Sequence, residues 1–239
     1  LTHKIAYLMG EKNILPWNIL AITFTNKAAK EMKERIELLV GDAAKDMWIG
    51  TFHSICVRIL RKFIDRIGFD SSFIIFDTSD QKTMVKQILK DLQLDDKMFS
   101  DRSVMSEISN AKNEMLEPDT YVAKVRGDFR REKIAEVYER YQKRLKENNA
   151  IDFDDIIMET VKLLRENGEI RDYYQRRYKY VCVDEYQDTN TAQFKLVSLL
   201  AAIVVAMIVY FIACLLLRVK ELGHVVVAIA ERFHRRRPA

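Results

Sequence analysis

Val181 to Asn190 reads VCVDEYQDTN, an apolar run of strand-forming residues that ends on two adjacent acids, Asp184 and Glu185. Open α/β sheets gather their ligands at the carboxyl ends of parallel strands, which is where this run delivers its carboxylates. Two neighbouring acids there fit nucleotide hydrolysis. The first holds Mg²⁺ through its water shell, and the second accepts a proton from attacking water. Gln187 stands where it can report the state of a γ-phosphate. An acid pair alone describes a solvated strand end equally well; the ten residues together carry the reading.

The sequence around this run repeats one grammar. Asn18 to Phe24 (NILAITF) is a short apolar strand, followed by Thr25 and Asn26 as helix caps. Ala28, Ala29, Met32, Ile36 and Leu39 then recur at three- and four-residue spacing, one face of an amphipathic helix. Met47 to Phe52 (MWIGTF) reads as a second strand, and His53 to Ile67 as a helix with Ile55, Ile59, Phe63 and Ile67 inward and Gly68 closing it. Phe73 to Phe76 (FIIF) is a third strand, running into the cap-rich DTSD at Asp77 to Asp80. Strands alternating with helices predict a mainly parallel sheet. From Gln81 to about Asn149 helical patterns take over, an all-helical insertion bounded by the acidic IDFDD at Ile151 to Asp155. Tyr178 to Val183 (YKYVCV) is the buried strand that ends on the acids.

Composition narrows the function less than the motifs do. The 239 residues are 49% hydrophobic and 31% charged, with 7 glycines and 3 prolines, which excludes a disordered or fibrous chain. Cys56, Cys182 and Cys214 lie too far apart in sequence for a disulfide framework or zinc pattern, which suits a reducing compartment. The net charge of +4 comes from the tail, because the first 217 residues hold 33 basic and 33 acidic side chains. Bulk charge therefore says nothing about a partner for the body. No charged stretch with a following apolar run stands at Leu1, so no secretory signal is expected.

VDEYQDTN resembles the Walker B motif of the UvrD/PcrA/Rep-like DNA helicases of superfamily 1. AITFTNKAAKEM, Ala21 to Met32, is similar to their motif Ia, GTFHSICVRIL, Gly50 to Leu60, to their motif Ib, and IDFDDII, Ile151 to Ile157, to the acidic segment that returns the chain from the helical subdomain called 1B. The resemblance covers about residues 1 to 200. It implies a three-layer α/β RecA-like core of the P-loop NTPase type with a 1B-like insertion. The core is expected in two parts, residues 1–77 and 150–200, around an insertion at 78–149, with residues 201–239 as a divergent tail.

The resemblance implies a cytoplasmic, ATP-dependent helicase that translocates 3′ to 5′ on single-stranded DNA in repair or replication, with ATP and Mg²⁺ as cofactors and single-stranded and forked DNA as partners. Asp184 would position Mg²⁺ through water, Glu185 would act as general base, and Gln187 would couple the γ-phosphate to DNA. Phe24 is expected to stack on a base, while Thr25, Asn26 and the helix amino terminus bind a phosphate. Thr51, His53 and Ser54 suit further phosphate contacts. Lys27 and Lys33 read equally as phosphate contacts or as a solvated face.

Two departures from the family qualify this picture. No GxxxxGK[ST] loop occurs among the 239 residues; in the family a sequence like LTHKIAYL follows that loop, so Leu1 reads as a point just past it. Downstream, Leu196 to Leu217 is 22 residues without a charge, followed by an Arg-rich end, where the family would enter its motif III. Three readings compete: a membrane span, a buried core helix, or a change of reading frame or gene join near Leu200. The positive-inside rule would put the basic tail in the cytoplasm and the body outside, away from ATP and DNA, which argues against a span. The join is the favoured reading. Two further function classes remain beside a helicase whose isolated segment is inactive: a non-catalytic single-stranded DNA-binding module, and a membrane-anchored protein.

Overall fold

A computed structural model describes residues 1–95 and 97–201 of the chain. In chain order the elements are α1 (Thr2–Gly10), β1 (Ile19–Thr23), α2 (Asn26–Val40), β2 (Trp48–Thr51), α3 (Phe52–Phe63), β3 (Ile74–Ile75), α4 (Thr78–Asp91), α5 (Asp101–Asn113), α6 (Pro118–Lys124), α7 (Phe129–Glu147), β4 (Ala150–Ile151), α8 (Phe153–Glu166), α9 (Gly168–Arg177), β5 (Tyr180–Val183) and α10 (Thr191–Leu200). Residues Leu1–Ala201 form one compact unit.

All five residues of β1 are buried, as expected of a strand covered on both faces and flanked on both edges. It lies between β2 and β5 in a parallel sheet of order β2-β1-β5. The register sets Thr23 beside Thr51 and Ile22 beside Val183, so three carboxyl ends finish level at one edge. Ile19 and Ala21 face a core made with Ile5 and Leu8 of α1 and with Met32 and Ile36 of α2. Leu20 and Ile22 alternate to the other face, where α3 contacts β1 and packs on α8, which in turn packs on α10. This is the α/β layering that the strand and helix grammar predicts.

Helices α4 to α7 surround a second core, in which Val85, Ile88, Val104, Ile108, Ile134 and Tyr138 are buried together. They enter and leave through β3 and β4, which pair in parallel as a separate two-stranded sheet.

Four expectations need correction. Of YKYVCV only Tyr180–Val183 is a strand, and it is not buried: Cys182 alone is enclosed and Tyr180 is exposed, because β5 stands at the edge of the described sheet and pairs only with β1. The FIIF strand does not join the main sheet. Only Ile74 and Ile75 are extended, they pair with Ala150 and Ile151, and they stand 54% and 39% exposed, so β branching there serves a surface ribbon. The helix begun at motif Ib ends at Phe63 rather than Ile67, passing into a 3₁₀ turn at Ile64–Ile67 before Gly68 closes it at φ +81°. Leu39 is exposed, because the contact face of α2 stops at Ile36. Of the apolar run, only residues through Ala201 fall among those described; its remainder and the whole tail lie outside them. Among the described residues no helix is long and apolar enough to cross a membrane.

Candidate functional site

The level edge of the sheet gathers most of the residues singled out in the sequence. Phe24 and Thr25 follow β1, Thr51 ends β2, and Asp184 and Glu185 follow β5. The Asp184 amide donates to the Ile22 carbonyl at 2.9 Å, which extends the β1–β5 ladder one step and anchors the acid at the sheet edge. The chain then turns sharply. Glu185 adopts φ +51°, a left-handed conformation uncommon outside glycine and asparagine, and leads into a 3₁₀ turn at Tyr186–Asp188. Asp184 is half-buried, while Glu185 and Gln187 are exposed. Neither acid forms an ion pair among the described residues.

Two helices begin beside the acids, each capped by a threonine from the end of its strand. Thr25 Oγ1 accepts the Ala28 amide at 3.1 Å, and Thr51 Oγ1 accepts the Ser54 amide at 3.2 Å. Ser54 Oγ in turn donates to the Thr51 carbonyl at 2.9 Å. These oxygens are therefore committed to capping. What they leave for an anion is the hydroxyl proton of each threonine and the first-turn amides that no helix satisfies internally, together with the positive end of the helix dipole. Asn26 and Lys27 are exposed at the start of α2. Lys33 reaches Glu37 at 3.9 Å, which favours the solvated-face reading for that residue.

Phe24 is half-buried, its ring 5.3 Å from that of the buried Phe52. One part of the ring is thus held by the core. His53 stacks on Phe153, the first residue of α8, at 3.7 Å between centroids. Burial lowers its pKa to about 4, so it is neutral at physiological pH and meets a phosphate only as an uncharged N–H donor. The unfolded imidazole binds its proton near 6.5 and the folded one near 4, so the stability this burial confers is complete above pH 6.5 and is lost as pH falls toward 4. An NMR titration of His53 is expected to give a midpoint near 4, and Phe153→Ala to move it toward 6.5; a midpoint unmoved in the variant means that Phe153 does not shield the ring.

The acidic turn is wired to the helical layer by side chains that sequence reading passed over. Asn190, the N-cap of α10, donates to Asn113 Oδ1 on α5 at 2.6 Å. The next residue back, Lys112, is buried between Asp152 and Asp155, at 2.6 and 2.8 Å. Asp152 and Asp155 also form the capping box of α8. Tyr141 donates to Asp152 at 3.0 Å and Gln142 to Asp155 at 3.2 Å. One signal was present in the sequence. Val104, Ile108, Ala111 and Lys112 occupy the inward stripe of α5, so a lysine fell on an apolar face and needed buried partners.

A parallel sheet with an acid pair just beyond its edge strand β5, and helix amino termini alongside, defines an α/β domain of RecA-like type. The chain belongs to the family described as UvrD/REP helicase N-terminal domain, whose model matches residues 1–209. A Bacillus subtilis protein named ATP-dependent DNA helicase PcrA is 56% identical over 201 residues, which cover 84% of this chain and 27% of the relative. Proteins of the same name from Staphylococcus epidermidis and Staphylococcus aureus are 53% identical over 201 residues and 52% over 202, covering 84% of this chain and 27% and 28% of theirs. The chain thus spans little more than a quarter of the length of these relatives.

Proposed function

We propose that residues 1–201 are the part of an ATP-dependent, 3′ to 5′ DNA helicase that supplies the hydrolytic acids and the first contacts to single-stranded DNA, in repair or replication. The observation that supports this most is the shared edge, where the carboxyl ends of β1, β2 and β5 finish level in one parallel sheet. Residues 1–77 and 150–200 make up the core, 78–149 the 1B-like layer, and 201–239 a divergent tail, of which residues 201–209 still fall within the family match.

The donor set suits Mg²⁺ and ATP. Asp184 and Glu185 offer oxygen ligands alone, and no group of three or more His, Cys, Asp or Glu among the described residues holds a metal unaided. Mg²⁺ favours such settings, since it keeps waters and takes phosphate oxygens beside one or two carboxylates. Asp184 would hold the ion through water, and the ion would supply charge neutralisation at the phosphates of ATP. Asp184 orients its water shell, Glu185 takes a proton from the attacking water, and Gln187 relays the γ-phosphate state toward Phe24, Thr25 and Asn26. Those three, with Thr51, His53 and Ser54, track a strand whose forked duplex lies ahead. Cytoplasmic location belongs to the same proposal.

The test is a transplant. Set in place of the matching 201 residues of the Bacillus subtilis relative, the segment is expected to support ATP hydrolysis stimulated by single-stranded DNA. A folded chimera without stimulated hydrolysis overturns the reading. The isolated 239 residues, with no GxxxxGK[ST] loop among them, are expected neither to hydrolyse ATP well nor to unwind DNA, and measurable unwinding refutes that part. A second reading, a non-catalytic single-stranded DNA-binding module, rests on the two threonine-capped helix amino termini beside Phe24 alone. Under either, Phe24→Ala weakens oligothymidylate binding roughly tenfold, the loss of one stacked base. An unchanged affinity removes the stacking role.

A further inference from the structure

At the far end of β2 from Thr51 lies a cleft of about 340 Å³ that the helicase reading does not use. Three residue steps along the strand separate Trp48 from Thr51, so the cleft sits about 10 Å from the strand ends, at the amino side of the sheet. Its lining includes Trp48, Arg58, Arg61, Lys62, Tyr173 and Arg177, and no carboxylate. None of these four cations forms an ion pair among the described residues, although the first 217 residues balance their charges. Elsewhere the surface pairs its charges freely, as in Lys45 with Asp42 and Arg140 with Glu136.

The cations are positioned rather than loose. The Arg58 guanidinium lies 4.5 Å above the Trp48 ring and Arg177 lies 5.4 Å from it. Lys62 sits 5.0 Å from the Tyr173 ring. Arg61 is fixed by the carbonyls of Ser71 and Phe73 at 2.8 and 2.7 Å. Arg177 donates to the Tyr173 hydroxyl at 3.2 Å, while its Nε is buried without an acceptor. Guanidiniums laid on aromatic faces keep their N–H edges free, and such edges match the oxygens of a phosphate two at a time.

We propose that this cleft is a second anion site, which binds a phosphate group through Arg58, Lys62 and Arg177, apart from the hydrolytic edge. The phosphate belongs to a nucleic-acid backbone or to a free phosphate compound, and the chemistry of recognition is the same. Among the 239 residues there are two tryptophans, Trp17 and Trp48, so Trp17→Phe leaves Trp48 as the reporter. In that background, titration of the full chain with inorganic pyrophosphate is expected to change Trp48 emission saturably. Arg58→Gln, Lys62→Gln and Arg177→Gln should each raise the midpoint about tenfold, the effect of one charge-assisted contact. Lys62 is exposed and its ammonium lies by the rings of Phe63 and Tyr173, whereas Arg58 and Arg177 lie on Trp48, so its variant tests the site with the least disturbance of the fold and the reporter.

No saturable change, a midpoint indifferent to all three substitutions, or an equal response to sulfate at matched ionic strength overturns the proposal. The source is read in a second arm. With Phe24→Ala added to weaken the strand-end contact, oligothymidylate that displaces pyrophosphate identifies a nucleic-acid backbone. Failure to displace it identifies a free phosphate compound.

Discussion

Lys112→Met is expected to remove about 3 to 5 kcal/mol of stability, the cost of leaving buried charges without their partner. A domain of this kind has about 5 to 15 kcal/mol in total, so the variant stands near unfolding. The lysine is 1% exposed and bridges two carboxylates that are equally enclosed. Burial disfavours its charge, yet the facing Asp152 and Asp155 hold its pKa above the usual lysine value. Burial likewise opposes the charge on Asp152, but Lys112 outweighs it and keeps that carboxyl below the ordinary range. Asp155 fares differently, since burial and the charge of Asp152 push it up to about 7. Asp155→Asn should therefore be milder than Asp152→Asn, because the residue it replaces is the readier to be neutral. Adding both Asn substitutions to Lys112→Met removes the uncompensated charges and should recover part of the loss. Urea unfolding followed by circular dichroism measures all four. A Lys112→Met cost under about 1 kcal/mol would mean that the pair is hydrated or easily replaced.

In the transplanted helicase, Glu185→Gln is expected to lower kcat by about 10²- to 10⁴-fold, the usual contribution of a general base. The amide is nearly the same size and inherits the same turn, with its left-handed φ of +51° at that residue. ATP affinity and single-stranded DNA affinity should therefore stay close to those of the unaltered chimera. Asp184→Asn provides the contrast. If Asp184 acts through Mg²⁺, its variant should lose activity that raised Mg²⁺ partly restores, whereas Glu185→Gln should not respond. A loss under about tenfold for Glu185→Gln, or rescue of it by Mg²⁺, removes Glu185 as the base.

The sheet and its edge were legible because both are written locally. NILAITF and YKYVCV are short apolar runs bounded by caps and acids, and neighbouring parallel strands with helical crossovers leave few topologies open. Thr25 could be read as a cap because a cap bonds within three residues of itself, whereas Thr51, read only as a phosphate contact, caps α3 in the same way, and Asn26, read as a cap, is the first residue of α2. The rest depends on contacts far apart in the chain. Lys112 meets Asp152 across 40 residues, and Asn190 meets Asn113 across 77, distances over which no periodicity speaks. His53 reads as a phosphate ligand until Phe153 is seen against it, and only that contact shows its lowered basicity. FIIF carries the composition of a core strand, but its place was decided by which partner could reach it. The cleft at Trp48 was hidden for a similar reason, since its cations come from α3 and α9, more than a hundred residues apart.

The small ribbon of β3 and β4 has an architectural consequence. Because Ile75 and Ile151 are register partners, the chain departs for α4 and comes back from α7 at adjacent points, like the two leads of a plug in a socket. A linker of a few residues should thus span the gap, making the four-helix layer exchangeable in a way that a helix threaded through the sheet is not. The socket is not blank, however. Asp152 and Asp155 remain on its rim when Lys112 leaves with the plug, so a replacement module must bring a cation of its own or find both acids neutralised.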